Sequence, residues 1–451
     1  MNQVLPHGWR FVSVEKLKSA EARSLAAGPF GSSISSRYFV NEGVPVIRGA
    51  NLSEGKQRFI PSGFAFITRD KAKEFKGAHV KSGDLVFTCW GTLGQVGLIP
   101  RDGPYDSYVI SNKQLKLRPD PDIASSEFLY YYFSSPTLRK RFNDVAIGSA
   151  VPGINLGILR RELVPLPPLR MQEKIAAILT AYDDLIEVNK RRIALLEKMA
   201  EELYREWFVR LRFPGYQDTR FVKGVPEGWD VVSLENFCET ITDGTHDTPK
   251  PVDSGHLLVT GKNIKSNQID FTGAYFISEQ DHREISKRSG LREGDILYSN
   301  IGTIGQTAIV GAKPDYSVKN VIIFRPRNAH DSLFLFHVLK NPAISEHLLA
   351  MASGASQQFI GLGTARSFNI LKPNSIILEE FGKTVSKFFE QRNTLISMNH
   401  ILCSSRDLLL PRLISGKLSV EDLDIQFPPS MQEDTPAAPA EQEALPETRY
   451  A

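Results

Sequence analysis

The chain states one pattern twice, and this repetition limits what it can fold into more than any other feature. Leu5-Pro6-His7-Gly8-Trp9-Arg10-Phe11-Val12-Ser13 returns as Val225-Pro226-Glu227-Gly228-Trp229-Asp230-Val231-Val232-Ser233. Lys81-Ser82-Gly83-Asp84-Leu85 returns as Arg292-Glu293-Gly294-Asp295-Ile296, and Gly91-Thr92-Leu93-Gly94-Gln95 as Gly302-Thr303-Ile304-Gly305-Gln306. Arg118-Pro119 returns as Arg325-Pro326. The order is kept, and the offset of about 220 to about 207 residues far exceeds a solenoid period. This is a duplicated domain, and its two diverged halves suit a partner with two related but non-identical sites.

With 451 residues the chain exceeds one typical core. Each half opens with short apolar runs such as Val44-Pro45-Val46-Ile47 and Val321-Ile322-Ile323-Phe324, bounded by turn residues. A helical piece follows at 126–142 and again at 333–351, and Pro136 and Pro342 predict that each splits into two short helices. A longer apolar periodicity closes each half. It runs through Ile175, Ile178, Tyr182, Leu185, Ile193, Leu196, Met199, Leu203 and Trp207, and then through Phe381, Val385, Phe388, Leu395, Met398, Leu402, Leu409 and Leu413. The narrow, charge-flanked seam is a coiled-coil pattern. Gly382 and Pro411 predict a shorter uninterrupted stretch for the second helix. Asn189 and Asn399 fall near the seams, where they either fix register or reach water. The expected class is α+β: two similar α/β domains, each followed by a long spacer helix, the helices pairing as an antiparallel coiled coil. The boundaries are 1–168 for the first domain, 169–212 for the central helix, 213–376 for the second domain and 377–420 for the C-terminal helix. A Pro-, Ala- and Glu-rich tail at 426–451 reads as disordered.

A net charge of +3 neither implies nor excludes nucleic acid. Cys89, Cys238 and Cys403 are far apart with no CxxC spacing, so no metal site is expected and a reducing cytoplasm fits. No signal peptide and no span long enough for a bilayer is legible. Catalytic signatures are missing too: no Asn/Asp-Pro-Pro-aromatic loop, no glycine-rich cofactor loop and no Walker motif. Glu173-Lys174 and Glu197-Lys198 lie on the coil as solvated charge. In Asp243-Gly244-Thr245-His246-Asp247-Thr248-Pro249 a His and acids suggest metal or acid–base work, but the other half has Gly28-Pro29-Phe30-Gly31-Ser32 near that place. A turn that offers groups to a phosphate or base edge is the favoured reading. No catalytic residue is assigned.

Gly148-Ser149-Ala150-Val151-Pro152-Gly153-Ile154-Asn155-Leu156, Val164-Pro165-Leu166-Pro167-Pro168-Leu169 and Gln172-Glu173-Lys174-Ile175-Ala176 before the long helix resemble the DNA-specificity subunit of type I restriction-modification systems. Gly28-Pro29-Phe30-Gly31-Ser32 and Asp243-Gly244-Thr245-His246-Asp247 are similar to segments near the start of that family's target-recognition domains. The second copy, Gly354-Ala355-Ser356-Gln357-Gln358-Phe359, lacks the Pro and Asn of the first. The resemblance implies a non-catalytic, cytoplasmic subunit that reads a split double-stranded DNA site, one part per domain. It also implies two modification subunits carrying S-adenosylmethionine and two restriction subunits using ATP and Mg, with no cofactor in this chain. A protein-only coiled-coil adaptor, or an enzyme with an unrecognised nuclease or methyltransferase site, are the alternatives. On this reading the DNA-reading candidates are Arg48, Asn51, Thr88, Trp90, Thr92, Asn112, Lys113, Ser149 and Asn155 in the first half. In the second they are Thr260, Lys262, Asn263, Asn300, Thr303, Lys319, Asn320, Ser356, Gln357 and Gln358. Arg or Lys reads guanine and Asn or Gln adenine. The repeated Gly-Thr-x-Gly-Gln and the two tryptophans Trp9 and Trp229 read as structural. Trp207 and Phe208 are either core or part of the surface that receives a modification subunit.

Overall fold

A computed structural model describes residues 5–147, 153–354 and 358–432. The chain forms two compact units, one within Met1–Lys190 and Ser397–Ala451, the other within Arg191–Ile396. Each unit therefore takes a stretch of both long helices, rather than owning the helix that follows it.

The first unit holds two four-stranded sheets. In one, Leu25–Ala27, Gln114–Leu117, Leu85–Thr88 and Val96–Leu98 lie in that order, all antiparallel. In the other, Val44–Ile47 runs antiparallel to Ala65–Ile67 and parallel to Tyr108–Ile110, which pairs in turn with His79–Val80. The second unit repeats this plan. Cys238–Asp243, Val321–Pro326, Ile296–Ser299 and Thr307–Ile309 make the antiparallel sheet, and His256–Thr260 joins Tyr275–Ile277 antiparallel and Tyr316–Lys319 parallel. The short strand that follows each Gly-Trp pairs with the strand just before a long helix: Arg10–Ser13 with Leu163–Leu166, Asp230–Ser233 with Asn369–Lys372. The prolines split the helical pieces as expected, into Ser126–Ser134 and Pro136–Asp144, and into Ala329–Lys340 and Pro342–Ala350. Ser135 and Asn341 cap the second member of each pair.

The repeated motifs meet in space. Asp84 is buried and takes Arg118 Nε and Nη2 on its two oxygens at 2.7 Å each, while accepting the backbone N–H of Lys81 at 3.0 Å. Asp295 does the same with Arg325, at 2.7 and 2.6 Å, and accepts the N–H of Arg292 at 2.7 Å. The Gly-Thr-x-Gly-Gln segment is a hairpin loop, its glycines at φ +92° and +90° in one unit and +74° and +95° in the other, where a side chain would be strained. Trp229 packs with Phe213 and Ile377, and Trp9 lies against the first unit's core.

The first long helix spans Leu169–Tyr204 and runs on as a π-helical turn, Arg205–Val209. The second spans Ser375–Ile414, so at 40 residues against 36 it is the longer, contrary to expectation. Pro411 sits in its last turn, where a missing N–H removes one bond rather than the helix. Gly382 is not a breaker either, since a Cβ there would fall 2.3–2.6 Å from His330. Within the first unit the two helices run antiparallel: Asn189 Nδ2 donates to Asn399 Oδ1 at 2.9 Å and Arg406 Nη1 to Asp183 at 2.6 Å. Asn189 is 1% exposed, so the pair fixes register rather than reaching water. Within the second unit Arg392 bonds Glu197 at 2.5 Å in the same antiparallel sense.

The tail expected to be disordered from 426 onwards begins as ordered chain. Pro428 is buried, Met431 packs on the first unit's core, and Ser430 Oγ donates to Asp184 at 2.5 Å. Lys174 Nζ holds the approach to it, donating to the carbonyls of Glu421 and Leu423 at 2.7 Å each. Composition hid this because a few anchors suffice among many prolines. Residues 433–451 lie outside the described residues. No helix among the described residues is long and apolar enough to cross a membrane.

Two predictions follow from this packing. Asp295→Asn leaves the largely buried Arg325 guanidinium without its paired carboxylate and lowers stability by about 3 kcal/mol, read by denaturant unfolding. Asp84→Asn costs less because Arg118 also holds Glu21. In the second unit His337 is buried against Tyr204, Phe381 and Phe389, and neither ring nitrogen has a hydrogen-bond partner among the described residues. Burial, aided by Lys340, pulls its pKa down to about 3. The unfolded chain thus binds a proton that the folded chain refuses. The second unit loses stability as pH falls from about 6.5 toward about 3, by up to about 1.4 kcal/mol per unit, and His337→Phe flattens that slope.

Candidate nucleic-acid interface

Parallel pairing brings strand ends of like polarity together, and that rule builds the site. In the first unit the Ser111 N–H donates to Ile47 O at 3.0 Å, setting Arg48 beside 111–113. The Cys89 N–H donates to Lys113 O at 2.8 Å, which adds Trp90 and Thr92 to the same end. The Gly28 N–H donates to Gln114 O at 2.9 Å and Asn112 Nδ2 to Gly31 O at 3.3 Å, so the Gly-Pro-Phe-Gly turn arrives there too. Gly28 is required: a Cβ would stand 1.9 Å from Ser111 O. Arg48, Trp90, Thr92, Asn112 and Lys113 are exposed on this edge. Asn155 is exposed as well, although its side chain caps the helix Leu156–Arg161.

The second unit assembles the same edge. Thr260 lies beside Lys319 across the parallel pair. Asn320 N–H donates to Thr245 O at 3.2 Å, and its Oδ1 lies 2.9 Å from His246 Nδ1. Lys319 Nζ donates to Thr248 Oγ1. His246 Nε2 sits 2.8 Å from Asp243, so the turn that attracted notice in the sequence is a hydrogen-bonded one at the candidate edge. Lys262, Thr303 and Gln358 are exposed, while Thr260, Lys319 and Asn320 are half-buried.

Four candidates are corrected. Asn51 is fully buried, its Oδ1 accepting the N–H of Arg48 at 3.0 Å and its Nδ2 donating to the carbonyls of Ile60 and Ser62. Asn263 repeats this with the N–H of Thr260 and the carbonyls of Asp270 and Thr272. Thr88 is buried and donates to Gln95 Oε1 at 2.9 Å. Asn300 is buried and donates to Ile360 O at 3.0 Å. Asn51, Asn263 and Thr88 spend their polar groups on holding a loop, and Asn300 holds one through Nδ2 while its Oδ1 is buried, so none of the four presents a group on the exposed edge. Ser149, Ser356 and Gln357 lie outside the described residues. Trp207 and Phe208 pack into the second unit's own aromatic cluster with Phe381, and Phe208 also meets Phe334 and Trp229, which favours the core reading.

Sequence reasoning passed over Phe30, which is 94% exposed on the candidate edge. The available signal was an aromatic set between Pro29 and Gly31, where no strand or helix period could bury it.

Residues 32–198 match the type I restriction modification DNA specificity domain. The MjaIX type I restriction enzyme specificity subunit of Methanocaldococcus jannaschii is 24% identical over 429 residues, covering 93% of this chain and 95% of its own. The HindI specificity subunit of Haemophilus influenzae is 24% identical over 409 residues, covering 75% and 87%. The crystal structure of a type I restriction-modification S subunit from M. genitalium shares the fold, with a TM-score of 0.56 at 16% identity over 92% of this chain and 97% of that one. The chain thus carries a type I restriction modification DNA specificity domain at residues 32–198 and is similar, over nearly its whole length, to the specificity subunits of those systems.

Proposed function

We propose that this chain is the sequence-specific DNA-recognition subunit of a type I restriction-modification complex. It reads a bipartite double-stranded site, one half per unit. The observation that carries the reading is the pair of edges: one frame, repeated in both units, presents Arg48, Trp90, Thr92, Asn112 and Lys113 in one and Thr260, Lys262, Thr303, Lys319 and Asn320 in the other. Different side chains on a shared frame are what two unlike half-sites require. Cationic residues position the edge on phosphates, and Asn, Thr and Arg groups read base edges. Phe30, exposed on the first edge, supplies an apolar contact to a thymine methyl or a wedge at a base step.

The chain carries no chemistry of its own on this reading. Two modification subunits bring S-adenosylmethionine, and two restriction subunits bring ATP and Mg. Support for helical partners comes from an exposed apolar stripe. Leu185, Val188, Leu195 and Met199 recur at helical spacing on the first long helix, as do Met398, Ile401 and Leu408 on the second.

Exchanging residues 40–160 for the equivalent segment of a relative with a different target changes one half of the site only, read by methylome sequencing of cells carrying the system. A change in both halves contradicts the one-unit, one-half assignment. On short duplexes Arg48→Ala and Lys113→Ala each weaken binding and lower the slope of log affinity against log salt by about 1. Phe30→Ala weakens binding without changing that slope. Asn51→Ala lowers thermal stability and leaves the recognised sequence intact.

A further inference from the structure

Among the described residues, His256, His282 and Asp315 are the one group of three or more metal-ligating side chains whose ligand atoms all lie within 4.8 Å of one another. They come from three elements of the second unit: the start of the strand His256–Thr260, the helix Glu279–Ser289, and the residue before the strand Tyr316–Lys319. The two imidazoles stack at 4.0 Å and 11°. His256 Nδ1 is 2.6 Å from Asp315, and its other nitrogen, Nε2, is 2.5 Å from Glu279. His282 Nδ1 is 2.8 Å from Ser317 Oγ, which leaves Nε2 available. His282 thus has one nitrogen held by an outer oxygen and the other open, the arrangement that orients a histidine toward a metal. Both nitrogens of His256 instead face carboxylates, so an ion takes the place of the proton between His256 Nδ1 and Asp315 while Glu279 keeps Nε2.

The first unit supplies an internal control. Matching its strand registers to those of the second puts Val44 at the place of His256, Ser107 at that of Asp315, and, counting from the capping residues Thr68 and Ser278, Arg69 at that of Glu279 and Ala72 at that of His282. The frame folds there without a single metal ligand. The fold does not demand two histidines and two carboxylates at these four positions, yet the second unit has them together.

We infer that His256, His282 and Asp315 bind one borderline divalent ion of the Zn2+ class, with Glu279 orienting His256 from the outer shell. Two imidazoles and one carboxylate suit that class and leave a fourth position for water. The rings are stacked in the structure, and imidazole donates in its own plane, so one ring turns out of the stack for both nitrogens to meet a single ion at about 2 Å. The ion fastens the helix to the parallel strand pair at the end opposite Thr260 and Lys319, stiffening the base of the candidate edge.

The probe is Zn2+ alone, titrated calorimetrically into the untagged full-length chain near neutral pH. One ion per chain binds and raises the thermal midpoint. His256→Ala and His282→Ala each abolish that binding, Glu279→Gln weakens it about 10-fold, and Cys403→Ser leaves it unchanged. His282→Ala installs the residue of the first unit, so the fold is kept, and circular dichroism checks this. Zn2+ uptake that does not saturate, or one-ion binding that survives both histidine replacements, overturns the site. Neither result touches DNA recognition, which is read separately by duplex binding.

Discussion

A buried Asp–Arg pair in each unit is the interaction on which the rest is hung. Asp84 stands immediately before one strand and Arg118 immediately after its antiparallel neighbour, so their bond closes the sheet at the end away from the candidate edge. Asp295 and Arg325 make the same closure. A charge taken out of water tolerates only a partner in good geometry. The pair therefore dictates where the two strands start and stop, and through them the register of the hairpin and of the loops beyond. With that end fixed, the opposite end is free to vary in sequence without moving the frame.

Much of this was legible because repetition made the frame visible. Gly-Asp and Arg-Pro recur at matching places, and the structure joins them. Pro136 and Pro342 announce their helix breaks, and Asn189 and Asn399 stand near the seams, where the sequence leaves register and water open and the structure pairs them. The functional reading came from the resemblance carried by the segments 148–156, 164–169 and 172–176, set in a frame that occurs twice.

What stayed hidden has one physical cause. A polar residue after a strand has the same one-letter code whether it clamps its own loop or faces outward. Asn51 and Asn263 clamp from buried positions; Asn112 holds the Gly31 carbonyl and stays exposed. Only three-dimensional hydrogen bonding separates them, although the equivalence of Asn51 and Asn263 was a hint that both serve the frame. Pro411 and Gly382 looked like interruptions because local rules cannot see where a helix ends or what stands beside it. The histidine–carboxylate cluster escaped because its members are separated by dozens of residues and carry no spacing motif.

The first unit is discontinuous: one member of its helical pair and its closing segment come from beyond residue 396. During synthesis, the unit that begins first is thus the one that finishes last. The Arg191–Ile396 unit has all of its own parts once its stretch has left the ribosome. The amino-terminal unit must wait for the helix through Ile414 and for the segment that Lys174 fastens by its carbonyls. A chain cut short near its carboxyl end accordingly damages the half that was translated earliest, and does so while the later half has everything it needs.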